Sequence, residues 1–271
     1  MILISVLFIL AALFEIILPL AIARWSTRKF LVSWRLFFIG MLTFFGSQVV
    51  HIPVLQILTR LFQNGTLPQP PLQYTLVFNA VLLGLLAGLF EETARLIAFL
   101  VLKKRANSFG AALTMGAGHG GLESILIGLY LLVNLGMFII ISLNGPDALP
   151  FLGSMGQTVH SQLPAYWSQP WYMPLLSAFE RLTAVSAHIT LSVLVWQAVA
   201  RRNAWWFIGA ILWHAVIDFV AVFGVGAGWS APAIEAVLGV FMLVNLALLY
   251  AMRRWTKGQA AAPIPAVEPG N

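Results

Sequence analysis

Nine acidic residues occur in the chain, and seven of them (Glu15, Glu91, Glu92, Glu123, Glu180, Asp218 and Glu235) fall inside long apolar stretches. Three of the five histidines share those stretches: His119 in GAGHGGLES, His188 in FERLTAVSAH and His214 in WHAVIDF. Arg95 and Arg181 are embedded in the same way. An ionised side chain at a bilayer centre costs on the order of 3 kcal/mol on insertion scales, so such groups persist where they pair, protonate or face a wet cavity. Glu91 and Arg95, His119 and Glu123, and His214 and Asp218 are each four residues apart. That spacing puts both members on one helix face about one turn apart. Carboxylates beside imidazoles can activate water by general acid–base chemistry. The same groups suffice for a catalytic Zn²⁺ site with an open position.

The elements that must carry these groups follow from composition. Of 271 residues, 60% are hydrophobic and 9% charged, against roughly 25% charged in a soluble domain. Mean hydropathy is +0.90, and several uncharged runs exceed the ~20 residues that cross a hydrocarbon core. Soluble and disordered classes are excluded. There is no cysteine, which excludes a disulfide framework, a thiol nucleophile and a thiolate metal site. The expected fold is all-α, with seven transmembrane helices near 2–23, 36–59, 75–102, 107–143, 173–200, 204–226 and 231–252. Ala21-Ile22-Ala23 resembles a signal cleavage site, but no positive charge precedes the first apolar run, so that run is read as a retained helix.

Twelve of the fifteen basic residues follow spans 1, 3, 5 and 7. The positive-inside rule then places the N-terminus outside and the C-terminus in the cytoplasm. The net charge of +6 reports topology, and no nucleic-acid partner is expected. The bilayer is the expected environment, in a multi-pass protein of the plasma membrane. A single membrane domain covers 1–257, with its motif-bearing core at 75–226, and a disordered cytoplasmic tail is expected over 258–271. Residues 107–143 would make about 55 Å of helix, too long for one upright crossing. The reading adopted is one crossing with an outward extension, or with a break near Gly116–Gly121. The outer segments 61–74 and 144–172 carry turn residues and no run long enough to span.

Counted from the nearest basic flank at 1.5 Å per residue, Glu91, His119, His188 and His214 all lie roughly 18–21 Å deep. Four polar groups on four helices in one layer point to a shared site. Gly84 and Gly88 form a stripe ending at Glu91, and Gly116, Gly120 and Gly121 surround His119. Small residues let membrane helices approach closely. Other hydrolase chemistries fail by inventory. There is no HExxH, Asp218 has no second embedded Asp, and Gly153-Ser154-Met155-Gly156 lies in an outer loop.

The ordered set of paired glutamates with Arg95, then GHGGLE, then an isolated His188, then HxxxD at 214–218 resembles the YhfC family of intramembrane metalloproteases. The family sits in one superfamily with the PrsW proteases, the type II CAAX prenyl endopeptidases and the gamma-secretase scaffold subunit. The likeness runs over about 75–226, and spans 1 and 2 add little. The resemblance implies that Glu91 or Glu92 activates water and that His188 and His214 bind water, metal or the oxyanion. It also matches His119 and Glu123 to the second motif. Two departures stand out: two residues, not three, separate the glutamates from Arg95, and Asp218 stands where several relatives carry Asn. The superfamily includes a non-enzymatic member, so membership alone does not establish turnover.

The expected activity is therefore hydrolysis of a peptide bond in a membrane-embedded or membrane-anchored substrate. The catalytic set is Glu91, Glu92, His119, His188 and His214, supported by Arg95, Glu123 and Asp218. His119, His188 and His214 are candidate ligands for Zn²⁺, and no organic cofactor is expected. Glu91 and Glu92 lie about 100° apart on a helix, so one is expected to act as base while the other pairs with Arg95. Glu180 is expected to pair with Arg181, and Glu15, Glu235 and His51 to serve structure. The rivals are a proton- or ion-coupled transporter, which would show flux without hydrolysis, and a catalytically silent scaffold, which would tolerate loss of the acids.

Overall fold

A computed structural model of the chain describes residues 1–260, with side chains to Thr256. Among the described residues there are eight α-helices and no strand. They are α1 (Ile2–Phe30), α2 (Arg35–Gln63), α3 (Thr75–Val101), α4 (Phe109–Asn144), α5 (Met155–Ser168), α6 (Met173–Arg201), α7 (Trp205–Gly226) and α8 (Ala231–Ala260). All but α5 are long and apolar enough to cross a membrane. The protein is a multi-pass integral membrane protein.

The basic flanks gather at one end of the bundle. Arg253 of α8 lies over the Phe30 ring at the end of α1, and Phe30 packs edge-on against Phe109 at the start of α4. Arg201, ending α6, stacks on Trp255 of α8 and faces Trp206 of α7. The outward faces carry exposed side chains such as Leu42, Phe45, Val133 and Leu243, as a lipid solvent permits.

The first half of α4 is the axis of the fold, with every residue from Gly110 to Gly121 buried. Glycine makes this possible. A Cβ at Gly118 would lie 1.9 Å from the Phe37 carbonyl oxygen of α2, and one at Gly120 would lie 2.8 Å from the His188 ring of α6. On α3, the stripe before Glu91 seats against α7: a Cβ at Gly84 would come within 2.6 Å of the Ala215 carbonyl oxygen. Helices bared in this way approach closely, and side chains of modest length can meet between them. α6 is the most enclosed of the spans.

Several expectations need adjustment. α4 is one unbroken helix of 36 residues, about 54 Å long, with no interruption at Gly116–Gly121. Its far extension is held by α5, a 14-residue helix in the segment 144–172 read as turn-rich loop. At about 21 Å it is too short to span, so a search for crossings passes over it. Tyr166 of α5 stacks on Phe138 of α4 at 3.9 Å between ring centroids, and Trp167 donates its indole N–H to Ser142 Oγ at 2.8 Å. Helix α1 runs through Ala21–Ala23 to Phe30, seven residues beyond the expected end. Helix α8 continues to Ala260, into the segment expected as tail; residues 261–271 lie outside the described part.

Candidate functional site

Helices α3, α4, α6 and α7 bring Glu91, Glu92, Arg95, His119, Glu123, His188 and His214 into one buried cluster. Its centre is Glu91 Oε2. That oxygen lies 3.0 Å from His119 Nε2, 3.9 Å from His188 Nδ1 and 3.9 Å from His214 Nε2. The three rings follow one another, with centroids 5.2 Å apart for His119 and His188 and 5.6 Å for His188 and His214.

In each ring the other nitrogen is held by an oxygen. The Thr43 hydroxyl of α2 donates to the Gly40 carbonyl at 2.7 Å, so its oxygen accepts from His119 Nδ1–H at 2.8 Å. His188 Nε2–H donates to Glu123 Oε2 at 2.8 Å, and His214 Nδ1–H donates to Glu92 Oε1 at 2.7 Å. Partners of this kind fix the tautomer and aim the remaining lone pair. The inner nitrogens of all three rings lie within 3.9 Å of Glu91 Oε2, and that of His188 accepts from Arg95.

The charges are shared out across helices. Arg95 pairs closely with Glu92, lies 3.6 Å from Glu91 Oε2 and donates from Nη2 to His188 Nδ1 at 2.7 Å. Gln48 of α2 donates to Glu91 Oε1 at 3.1 Å. Arg181 pairs closely with Glu180, and its Nη1 lies 3.0 Å from Glu123 Oε1. A chain of contacts therefore leads from Glu180 through Arg181 and Glu123 to His188. Asp218 stands at the edge, 3.5 Å from His214 Nε2 with 35% of its side chain exposed.

Both glutamates reach the cluster from different sides, Glu92 as the close partner of Arg95. Glu91 faces α4 and α6, while Glu92 turns toward α7 and Arg95 spans the two. The i, i+4 pairs do not bond internally as strongly as they bond across helices. His119 meets Glu91 and Thr43 while Glu123 meets His188. Glu15, Glu235 and His51 stand apart from this set of contacts. Glu15 accepts from Ser177 at 2.8 Å, and His51 stacks on Phe90 with centroids 5.3 Å apart.

A cavity of about 120 Å³ adjoins the cluster and is lined by Glu91, Glu123, His188 and His214 together with residues of α8. That is room for several waters. Glu92, fully enclosed, is not among its walls.

A metal fits this set of donors. Atoms of Glu91, His119 and His188 lie within 4.8 Å of one another, and all three residues are buried. His214 is not in that group, and its Nε2 lies 3.9 Å from Glu91 Oε2. The His119 lone pair and the Glu91 carboxylate face each other at 3.0 Å. Two acceptors at that distance repel unless a proton or a cation lies between them.

Sequence reasoning passed over Thr43, Gln48 and the Arg181–Glu123 link. A signal for the first was present: Thr43, Ser47 and His51 are all buried and spaced by four, one polar stripe down span 2. A family model described as YhfC intramembrane metalloprotease matches residues 14–238. The chain belongs to this family. It is 31% identical over 245 residues to the "Uncharacterized membrane protein YhfC" of Bacillus subtilis (strain 168), a match covering 85% of this chain and 89% of the relative. No solved structure matches the chain. The YhfC match begins inside α1 and ends within α8, wider than the stretch 75–226 that carries the motifs. Its inclusion of α2 agrees with the contacts that Thr43 and Gln48 make in the cluster.

Proposed function

We propose that the protein is an intramembrane peptidase that hydrolyses a peptide bond in or beside the bilayer. One observation carries the reading: the inner nitrogens of three imidazoles, each with its outer nitrogen held by an oxygen, lie within 3.9 Å of one carboxylate oxygen beside a cavity. Glu91 is the base, because it lines that cavity while Glu92 is enclosed by Arg95 and His214. Water in the cavity passes a proton to Glu91 as its oxygen adds to the substrate carbonyl carbon. His214, facing both Glu91 and Asp218, relays that proton from Glu91 to the departing amine nitrogen.

Zn²⁺ is the cofactor that suits these donors. His119 and His188 would hold it together with one Glu91 oxygen, leaving the other carboxylate oxygen to take the proton from water. When bound it supplies Lewis-acid polarisation of water or carbonyl. Holding the ion would require Arg95 Nη2, 2.7 Å from His188 Nδ1, to give up that nitrogen. The apolar walls contributed by Leu238, Phe241 and Met242 suit a peptide segment that arrives from lipid. The basic end of the bundle faces the cytoplasm by the positive-inside rule.

The test uses purified full-length protein in liposomes with quenched-fluorescence peptides that carry an apolar span and polar flanks. Wild type cleaves a peptide, and Glu91→Gln and His188→Ala lose at least 100-fold. Elemental analysis finds about one zinc per chain, reduced in His119→Ala. Equal turnover by wild type and both activity variants would refute the reading.

A further inference from the structure

We propose that the side-chain amide of Asn245, on α8, is the donor that holds the substrate's carbonyl oxygen as negative charge develops on it. The inference rests on the peptidase reading of the same cavity. Asn245 lines that cavity and is only 1% exposed. Its Oδ1 accepts the indole N–H of Trp213 at 2.8 Å. An indole nitrogen can only donate, so this contact fixes which end of the amide is which. The two N–H groups of Nδ2 are then the free end, and Nδ2 has no protein partner.

The height is right. Trp213 adjoins His214 in α7, and the Thr190 hydroxyl of α6 contacts the Asn245 carbonyl at 3.4 Å. Thr190 is two residues past His188, about 3 Å along the helix axis. The free amide therefore lies at the level of the two imidazoles that wall the cavity. Buried polar side-chain atoms are rarely left without a partner in native proteins, and here the missing partner is one that the cavity can receive.

The other donors around the cavity are ion-paired, Arg181 Nη1 lying 3.0 Å from Glu123 Oε1 though without a hydrogen bond. Arg95 is engaged by Glu92 and His188, and Arg181 by Glu180 and Glu123. Asp218, one turn after His214, offers only acceptors while ionised. A donor for the oxyanion has to come from elsewhere, and α8 supplies it. As water adds to the carbonyl carbon, its proton passes to Glu91 and the C=O π pair moves onto oxygen. The Nδ2–H groups hold that oxygen. When the C=O bond re-forms, the C–N bond breaks and the amine nitrogen takes up the proton that Glu91 gained from water, relayed through His214.

The experiment uses full-length protein in liposomes, a reporter peptide cleaved by the wild type, and a phosphinic analogue of that peptide. Asn245→Asp and Asn245→Leu lower kcat by 10²–10³-fold with KM within about threefold, the size of effect seen when one oxyanion donor is removed. The analogue, whose tetrahedral oxygen takes the oxyanion's place, loses affinity by a similar factor. Trp213→Phe leaves Asn245 in place but frees its amide to turn, and lowers kcat about tenfold. This variant keeps the test decisive if the Asn245 variants do not fold. Full kcat in folded Asn245 or Trp213 variants while Glu91→Gln is inactive would overturn this assignment alone. Wild type no more active than Glu91→Gln would overturn the peptidase reading and the assignment with it.

Discussion

Neutralising Glu91 and neutralising Glu92 have opposite consequences, although the two residues are adjacent and both buried. Glu92 is the close partner of Arg95, with the two side chains 0% and 1% exposed, and it accepts from His214. Removing one member of a buried ion pair costs about 3–5 kcal/mol. Glu91 Oε2, 3.6 Å from Arg95, remains as a weaker counter-charge, and the amide introduced by Glu92→Gln keeps an oxygen for His214. The expected loss for Glu92→Gln is therefore near the low end, about 3 kcal/mol, or roughly 6–12 °C in Tm. In Glu91→Gln, Arg95 keeps Glu92. The amide introduced there can donate to the His119 lone pair that the carboxylate faces at 3.0 Å. That variant melts at or above the wild-type temperature, by up to about 1 kcal/mol, while losing activity. The assay is thermal unfolding in detergent read from the intrinsic fluorescence of the ten tryptophans. A double variant, Glu92→Leu with Arg95→Met, recovers most of the loss because both charges leave together. The reasoning fails if Glu92→Gln melts within about 2 °C of wild type, or if Glu91→Gln falls as far as Glu92→Gln.

Other consequences are shorter to state. Arg181→Met leaves Glu123 without its cation. Because Glu123 and Glu180 are 28% and 29% exposed, water offsets much of this, and the stability loss is held to about 1–2 kcal/mol. Loosening the acid that orients His188 lowers zinc affinity 10–100-fold by titration calorimetry. Gly118→Ala meets the Phe37 carbonyl oxygen at 1.9 Å and should abolish the folded fraction in size-exclusion chromatography. Gly136→Ala, on the same helix with nothing within 4 Å, should melt slightly higher, by about 0.5–1 kcal/mol.

The division between what was legible in the chain and what was not has a physical basis. Spans could be read because lipid demands about 20 apolar residues per crossing, and most boundaries marked by charge fall within a few residues of the helix ends. The short α5 answers to a different demand. It covers the apolar side of the α4 extension through Val159, Tyr166 and Trp167, and no length rule applies to it. The site residues were legible because a charge in lipid is conspicuous. Their pairing was not, because sequence spacing speaks only of neighbours on one helix. His119 and Glu123 share a face, yet each finds its oxygen or nitrogen on another helix. Gln48, Thr43 and Asn245 carry no charge and so gave no alarm.

The same contrast explains how the cluster is built. Charged members are paired within a helix, Arg95 with Glu92 and Arg181 with Glu180, and also reach across helices: Arg95 of α3 reaches His188 of α6, and Arg181 of α6 reaches Glu123 of α4. Each such contact is satisfied only when two helices dock at one height, so the charges set the register that the glycine seams permit. Neutral polar groups complete the geometry at lower desolvation cost. Thr43 sets the tautomer of His119, Gln48 holds the back of Glu91, and Trp213 turns Asn245. A variant that breaks a close ion pair, as Glu92→Gln does, should therefore disturb folding and chemistry together, whereas one that removes a neutral polar group should disturb chemistry first. Thr43→Val tests this directly. It frees the His119 ring to change tautomer, so zinc affinity falls at least tenfold while Tm moves by less than about 3 °C. A Tm loss as large as that of Glu92→Gln, with zinc affinity unchanged, would reverse the assignment.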